Sequence, residues 1–276
     1  MTALGEKART FHALHGGPHI LVLLNAWDAA SARIFELAGA PAIATTSSGV
    51  AGSLGFPDGQ HVSRDLVIEA VARITRVVDV PVSVDIEAGY GATVEEVRQT
   101  ARAVIDAGGV GVNIEDEMKD PGLLAERIAG IRDVAASKGV PLFVNARTDV
   151  YLRTKGDPAG LLDEAVRRLR TYASAGADGL FAPGLGDAPT IARLAAAVDR
   201  PLNIMAGDGV PPANDLERLG VRRVSMGGGP MRATLALARR IAHELLREGT
   251  YSGFLADTIS HAEVEGMFAR LAPPAR

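Results

Sequence analysis

Short apolar runs alternate with amphipathic stretches along most of this chain. The runs predict strands over residues 20–25, 42–46, 82–85, 111–115, 142–147, 179–182, 202–205 and 223–226. Several are almost continuously apolar, as parallel strands buried on both faces are. The intervening stretches have helical periodicity. Thr93 is placed to cap a helix with Glu96 as its capping-box partner, and Val94, Val97, Ala101, Val104 and Ile105 form one apolar stripe. Gly108 stands where such a helix would end. Ser63 caps the preceding helix, with Val67, Ala70, Val71, Ile74 and Val78 as its inner face. Asp157 and Pro158 open another, with Leu161, Leu162, Ala165 and Leu169 inward.

Strand–helix alternation implies parallel pairing. About eight such units predict an α/β fold of the closed (β/α)8 TIM-barrel kind rather than an open doubly wound sheet. No linker or low-complexity tract interrupts the 276 residues, so a single barrel domain spanning 1–276 is expected. The stretch 230–276 is longer than one closing helix needs. It predicts extra C-terminal helices available for subunit contacts.

Composition narrows the chemistry. Hydrophobic residues make up 47% of the chain, enough for a large core. The net charge of −4 and the lack of a basic run argue against a nucleic-acid partner. No apolar run is long enough for a membrane span, and MTALGEKARTFHALHGG lacks a secretory pattern, so a cytoplasmic enzyme is expected. Cysteine is absent, which excludes disulfides, thiolate metal sites and cysteine nucleophiles.

In a parallel barrel the reactive groups gather at the C-terminal strand ends. There the chain places Thr45-Thr46-Ser47-Ser48 after the second strand, Asp85 and Glu87 after the third, and Glu115-Asp116-Glu117 after the fourth. Asn145, Arg147 and Asp149 follow on the fifth, Asn203 lies on the seventh, and Gly227–Gly229 closes the eighth. Crowded carboxylates repel unless a cation sits among them, and oxygen donors without cysteine or nearby histidine suit Mg2+, or Mn2+. Asp85 is the expected direct metal ligand, with Glu87 and Glu115 acting through water. Arg147 is the expected clamp for a substrate carboxylate. Together these parts fit a small anionic oxo-acid. Each residue also has a plainer reading. Glu117 and Asp120 read as caps or solvated acids, Asp116 as a structural ion-pair partner, and Arg147, taken alone, as a buried ion-pair partner. The glycine triplet reads as a strand-to-helix turn more readily than as a phosphate cradle. His12, His15 and His19 read as surface or packing residues, as does His61.

LLNAWDAASARIFELAGAPAIATTSSGVAGSLGFPD, SVDIEAGYG, GVNIEDE, NARTDVYL, AGADGLFAPG, PLNIMA and GVRRVSMGG resemble, in that order, the isocitrate lyase/phosphoenolpyruvate mutase superfamily over about residues 20–240. The resemblance implies a modified barrel whose eighth helix is swapped onto a neighbouring subunit, and a homotetramer built as a dimer of dimers. It implies Mg2+-dependent making or breaking of C–C or P–C bonds next to a 2-oxo acid, through an enolpyruvate-like intermediate. By matching position, Asp85 is the metal-binding aspartate, Glu87 and Glu115 its acidic surround, and Asp58 an acid reaching the metal's waters. Thr46, Ser47 and Ser48 match the segment that holds the substrate's carboxylate and oxo group, and Arg147 the substrate arginine. Asn203 is a further substrate-binding candidate. Two departures bear on activity. The isocitrate and methylisocitrate lyases carry a catalytic cysteine on a gating loop after the fourth strand, and this chain runs almost directly into a helix there. The mutases carry a histidine where Pro183 stands. A lyase acting on a small 2-oxo or 2-hydroxy acid is therefore expected, like an oxaloacetate decarboxylase or a methylisocitrate lyase. A phosphonomutase or phosphonopyruvate hydrolase, or a catalytically silent metabolite-binding barrel, are the alternatives. Thr46, His61 and Tyr90 are the candidates for acid–base work.

Overall fold

The computed structural model describes residues 2–269. Its eight strands are β1 (Leu21–Ala26), β2 (Ile43–Thr45), β3 (Val82–Asp85), β4 (Gly111–Glu115), β5 (Phe143–Arg147), β6 (Gly179–Phe181), β7 (Leu202–Met205) and β8 (Arg223–Ser225). They pair in parallel in sequence order, and β8 returns to β1, so the barrel is closed. The predicted strands and the observed ones differ by a residue or so at the ends. β2 stops at Thr45 because Thr46 turns to become the N-cap of the next helix.

The helices of this unit are α1 (Ala3–His15), α2 (Ala29–Leu37), α3 (Ser47–Ser53), α4 (Arg64–Val77), α5 (Val94–Asp106), α6 (Pro121–Lys138), α7 (Val150–Arg153), α8 (Leu162–Ser174), α9 (Ala188–Ala197) and α10 (Ala213–Arg218). Ser63 caps α4, and Val67, Val71 and Ile74 are buried on it. Ala70 is only half-buried, and Val78, though buried, already lies beyond the helix in extended backbone. Thr93 and Glu96 form the reciprocal capping box of α5. Gly108 takes φ +91° just past its end, a left-handed conformation that glycine adopts without strain. Pro158 opens a short 3-10 turn instead of the helix expected there, and α8 proper starts at Leu162. Its buried face holds Leu162, Ala165 and Leu169 as predicted, and also Arg168 and Tyr172, whereas Leu161, expected inward, is only half-buried in the 3-10 turn before it.

The sequence pattern did not single out α1. Thr2 caps it, and its inner face meets the first residues of β4 and β5. Phe11 packs edge-on to Phe143 at 5.3 Å, and a side chain at Gly111 would collide with the Phe11 ring. His15 stacks on Phe143 at 3.9 Å and gives its Nδ1 proton to the Phe11 carbonyl. His15 is a packing residue, one of the two readings open to it. α1 thereby packs on the N-terminal end of the barrel, opposite the end where the strand-terminal acids lie.

From Gly228 onward the chain forms a second compact unit, made of α11 (Gly229–Arg247), α12 (Ser252–Leu255) and α13 (His261–Phe268). No residue of α11 is buried, and Leu235 and Leu246 are exposed on it.

Candidate active site

Alternation along the strands sorts two kinds of side chain. Val84, Val112, Ile114, Val144 and Ala146 are buried apolar residues. The residues between them are polar and bond to one another across the strands. Asn145 donates to Asn113 (3.1 Å), and Asn113 donates to Asp85 Oδ1 (3.1 Å). Register puts Asp85 beside Asn113, and Glu115 beside Arg147.

Asp85 joins segments from β2, β3 and β4. Its Oδ2 accepts the backbone N–H of Ser47 (3.0 Å), and its Oδ1 accepts those of Glu87 (3.3 Å) and the Asn113 amide. Its own N–H donates to Thr45 Oγ1 (2.9 Å). The Ser47 N–H belongs to the first turn of α3, where backbone donors lack helical partners. Thr46 is buried, and its hydroxyl lies 3.2 Å from that of Ser48. Gly49 permits the tight start of α3, since a Cβ there would fall 2.6 Å from Thr46 Cγ2.

Glu87 adopts φ +50°, Tyr90 +52° and Gln60 +61°, left-handed values that non-glycine residues seldom take. The three are tied in one circuit. Gln60 N–H donates to Glu87 Oε2 (2.7 Å), Tyr90 O–H donates to Glu87 Oε1 (2.5 Å), and Tyr90 N–H donates to Gln60 Oε1 (2.9 Å). The loop before α4 is thereby latched to the loop after β3. Asp58 rides on that first loop, exposed, and its charge reaches Glu87. Burial pushes the Glu87 carboxyl up, and the nearby Asp85 and Asp58 charges add to the rise, against the Tyr90 hydrogen bond.

Glu115 Oε2 pairs with Arg147 Nη1 at 2.5 Å, and Arg147 Nε pairs with the buried Asp149 at 2.7 Å. Burial drives the Glu115 carboxyl well above the ordinary carboxylate range, with Arg147 holding it back. Behind this pair lies a second network. The buried Asp116 carboxylate accepts from Met118 N–H, Asp149 N–H, Thr148 Oγ1, Tyr172 O–H and Arg168 Nη1. Asp116 is thus a structural ion-pair partner, as its plainer reading held. Asp120 caps α6, and Glu117 pairs with exposed Lys119.

Asn203 is buried on β7, where its Oδ1 accepts from Ser225 and its Nδ2 has no partner among the described residues. Asn25 Oδ1 accepts the N–H groups of Met226 and Gly227, which anchors the glycine turn after β8. His61 is exposed. The link from β4 to α6 is only residues 116–120, as expected from its sequence.

The structure therefore brings Asp85, Glu87, Glu115, Arg147 and the Thr46–Ser48 segment to one end of the barrel, with Asp58 at its edge. Sequence reasoning missed Asn25, Asn113, Gln60 and Arg168. The two asparagines had a visible signal, for each interrupts an apolar strand at an inward position. Among the described residues no three acid or histidine side chains converge closely enough to enclose a metal by themselves. The donor set still fits a divalent cation held by one carboxylate and otherwise by water. It is all oxygen, and burial pushes its Glu87 and Glu115 carboxyls toward protonation, with neighbouring acid charges adding to the rise. No helix among the described residues is long and apolar enough to cross a membrane.

Comparison with known proteins identifies the family. The family model described as phosphoenolpyruvate phosphomutase matches residues 11–246. The 2-methylisocitrate lyase of Escherichia coli (strain K12) is 30% identical over 264 residues, covering 90% of this chain and 87% of that protein. Two crystal structures from Burkholderia cenocepacia J2315 align closely. One, provisionally named a phosphonomutase, is 43% identical with a TM-score of 0.82, over 86% of this chain and 99% of that one. The other, provisionally named a lyase/mutase, is 36% identical with a TM-score of 0.89, over 99% of both chains. The chain belongs to the phosphoenolpyruvate mutase/isocitrate lyase superfamily, whose members are lyases and mutases.

Proposed function

We propose that this protein is a Mg2+-dependent lyase that cleaves a C–C bond in a small 2-oxo or 2-hydroxy carboxylic acid. The observation that carries the reading is Asp85, held by three donors among two further buried acids, with an arginine one strand beyond. Asp85 is the direct metal ligand in this reading, and Glu87, Glu115 and Asp58 orient water around the cation, with Mn2+ as an alternative ion. When bound, the cation would supply positive charge beside the substrate's oxygens.

The protein's own groups do the rest. Arg147 spends Nη1 and Nε on Glu115 and Asp149, which fixes its plane and leaves Nη2 to take a substrate carboxylate. The hydroxyls of Thr46 and Ser48 and the open amides at the start of α3 are placed for the substrate's other oxygens. Asn203 Nδ2 is a further donor without a partner among the described residues. Tyr90 keeps its proton, because burial and the Glu87 bond both raise its pKa, and it orients Glu87 rather than acting as a base. With no cysteine and a short β4–α6 link, the chain suits a substrate whose own carboxylate or carbonyl fragment departs without help from a gating loop.

The test is pyruvate release, coupled to lactate dehydrogenase, from oxaloacetate, methylisocitrate, citramalate-type acids and phosphonopyruvate. It is run with Mg2+, with chelator, and with Asp85→Ala. Metal-dependent turnover lost in the variant supports the lyase reading. Turnover of phosphonopyruvate alone would favour the second reading, a P–C bond enzyme, which the relative provisionally named a phosphonomutase supports. Mg2+ binding that survives Asp85→Ala would refute the site, and absent binding in the wild type would leave a silent barrel. We further propose that residues 230–276, of which 270–276 lie outside the described residues, make subunit contacts in a homotetramer, on the strength of the exposed leucines of α11. Light scattering of the purified chain checks this.

A further inference from the structure

The wall of the site beyond Arg147 holds a second arginine that this mechanism does not use. Arg153 ends α7, the single turn that follows β5 at the acid-bearing end of the barrel. That turn lies against the loop after β6, where a Cβ at Gly184 would fall 2.9 Å from the Tyr151 carbonyl oxygen and 3.0 Å from Leu152 Cδ2. Asp149 joins the two arginines. Its Oδ1 accepts from Arg147 Nε (2.7 Å) and its Oδ2 from Arg153 Nε (2.9 Å). The two Nε atoms therefore stand no farther apart than one carboxylate and two hydrogen bonds.

Arg153–Asp149 differs from a solvated helix pair. In pairs such as Arg73–Glu69 and Arg218–Asp215 both side chains are largely exposed, and such pairs contribute little. Asp149 is fully buried, while the Arg153 side chain is 53% exposed. A fixed carboxylate thus grips the inner nitrogen of an arginine whose outer end is open to solvent. Nη1 and Nη2 of Arg153 make no hydrogen bond among the described residues, and Arg147 has only Nη2 uncommitted. Anchoring through Nε restricts the Arg153 side chain before any ligand arrives, so its free fork loses less entropy on taking an anion. Around the mouth the order is Asp85 at the end of β3, Glu115 on β4, Arg147 on β5 and Arg153 just past it. A ligand with one end between Asp85 and Arg147 reaches Arg153 only with its other end.

We propose that Arg153 is a specificity-determining residue that takes a second carboxylate, at the far end of the substrate from the one Arg147 clamps. The substrate class is then a dicarboxylic 2-oxo or 2-hydroxy acid, preferred over a monocarboxylic acid of the same length. The inference rests on the reading of Arg147 as the substrate clamp beside a cation at Asp85.

The experiment is calorimetric binding of small acids to the full chain in saturating Mg2+, with circular dichroism as the fold check. Malate is compared with 2-hydroxybutanoate, and 2-oxoglutarate with 2-oxopentanoate, so that each pair differs by a carboxylate in place of a terminal methyl. The wild type should bind at least one dicarboxylate about tenfold more tightly than its methyl partner, the order expected of one charge-assisted hydrogen-bonded contact. Arg153→Gln should bring the affinities within that pair together by weakening the dicarboxylate alone. Arg153→Lys, which keeps the charge and loses the fork, should retain part of the difference. A wild type without the preference overturns the inference, as does a preference that survives both variants. Equal weakening of both acids in Arg153→Gln also overturns it, because Arg153 would then serve only to hold Asp149 and Arg147. Arg147→Gln is the parallel control, in which every acid should weaken. If none does, or if the wild type binds Mg2+ but no acid, the Arg147 reading fails and this inference falls with it.

Discussion

Replacing Asp116 with asparagine should destabilise the protein by about 2–4 kcal/mol. The side chain is fully buried and accepts five hydrogen bonds. Asparagine keeps the shape and keeps Oδ1, which serves Met118 N–H at 2.9 Å and Asp149 N–H at 3.0 Å. The loss falls on the Oδ2 side, where an amide NH2 would face Thr148 Oγ1, Tyr172 O–H and Arg168 Nη1. The two hydroxyls can rotate and accept. The guanidinium cannot, and it loses the carboxylate that balances its charge in a buried place. Complete breakage of a buried pair costs about 3–5 kcal/mol. Arg168 keeps Glu164 and the Lys119 carbonyl, which lowers that figure. The assay is urea unfolding at unchanged m, with Asp120→Asn as the control that removes an exposed charge and keeps the cap oxygen. The pH dependence has a fixed sign. Burial pushes Asp116 up, but its hydrogen bonds outweigh burial and hold its folded pKa below the ordinary 3.8. Its contribution is therefore present above pH 3.8 and lost as the pH falls through the lower folded value, so the gap between wild type and variant should close in acid. A variant no less stable than Asp120→Asn would refute the reasoning.

Three further outcomes are expected. His15 is buried with its pKa lowered to about 3, mainly by burial and then by Arg223, while the unfolded chain titrates near 6.5. Folding stability should therefore fall by about 1.4 kcal/mol between pH 7.5 and 5.5, and His15→Gln should flatten that slope in denaturant titrations. Gly89→Ala should cost about 1–3 kcal/mol and disturb the site, because φ is +107° there and the new Cβ would lie 2.7 Å from Val97 Cγ2. Equal melting temperatures would count against it. Thr93→Ala should remove the α5 capping box for about 1 kcal/mol and leave turnover intact, since that cap lies outside the acid cluster.

The barrel frame was legible because its strands are short apolar runs buried on both faces, which nothing else in a chain of this composition resembles. Asp85, Glu87, Glu115 and Arg147 were legible because each interrupts or ends such a run. Their supports were harder to read. Arg168 lies 52 residues from Asp116 and Tyr172 lies 56, and only folding brings those helix positions to the strand end. Arg168 did leave a trace, a charge on the face shared by Ala165 and Leu169. α1 left less. Its buried positions are Gly5, Ala8, Phe11 and His15, too small or too polar to stand out as an apolar stripe.

The left-handed residues lay furthest from view, and they say most about the site. A sequence selected for stability alone would place glycine at a position of positive φ, and this chain does so at Gly89 and Gly108. At Gln60, Glu87 and Tyr90 it does not, at a cost of order 1 kcal/mol or more each. Each of the three gives its side chain to the same circuit. Glycine at any of them would relieve strain and open that circuit. Opening it would free Glu87 and the loop that carries Asp58. These side chains fix where Glu87 and the loop carrying Asp58 stand relative to Asp85, whereas Glu117 and Met118 take positive φ outside the circuit, so it is the shared hydrogen bonds rather than the strain alone that tie the three residues to the acids.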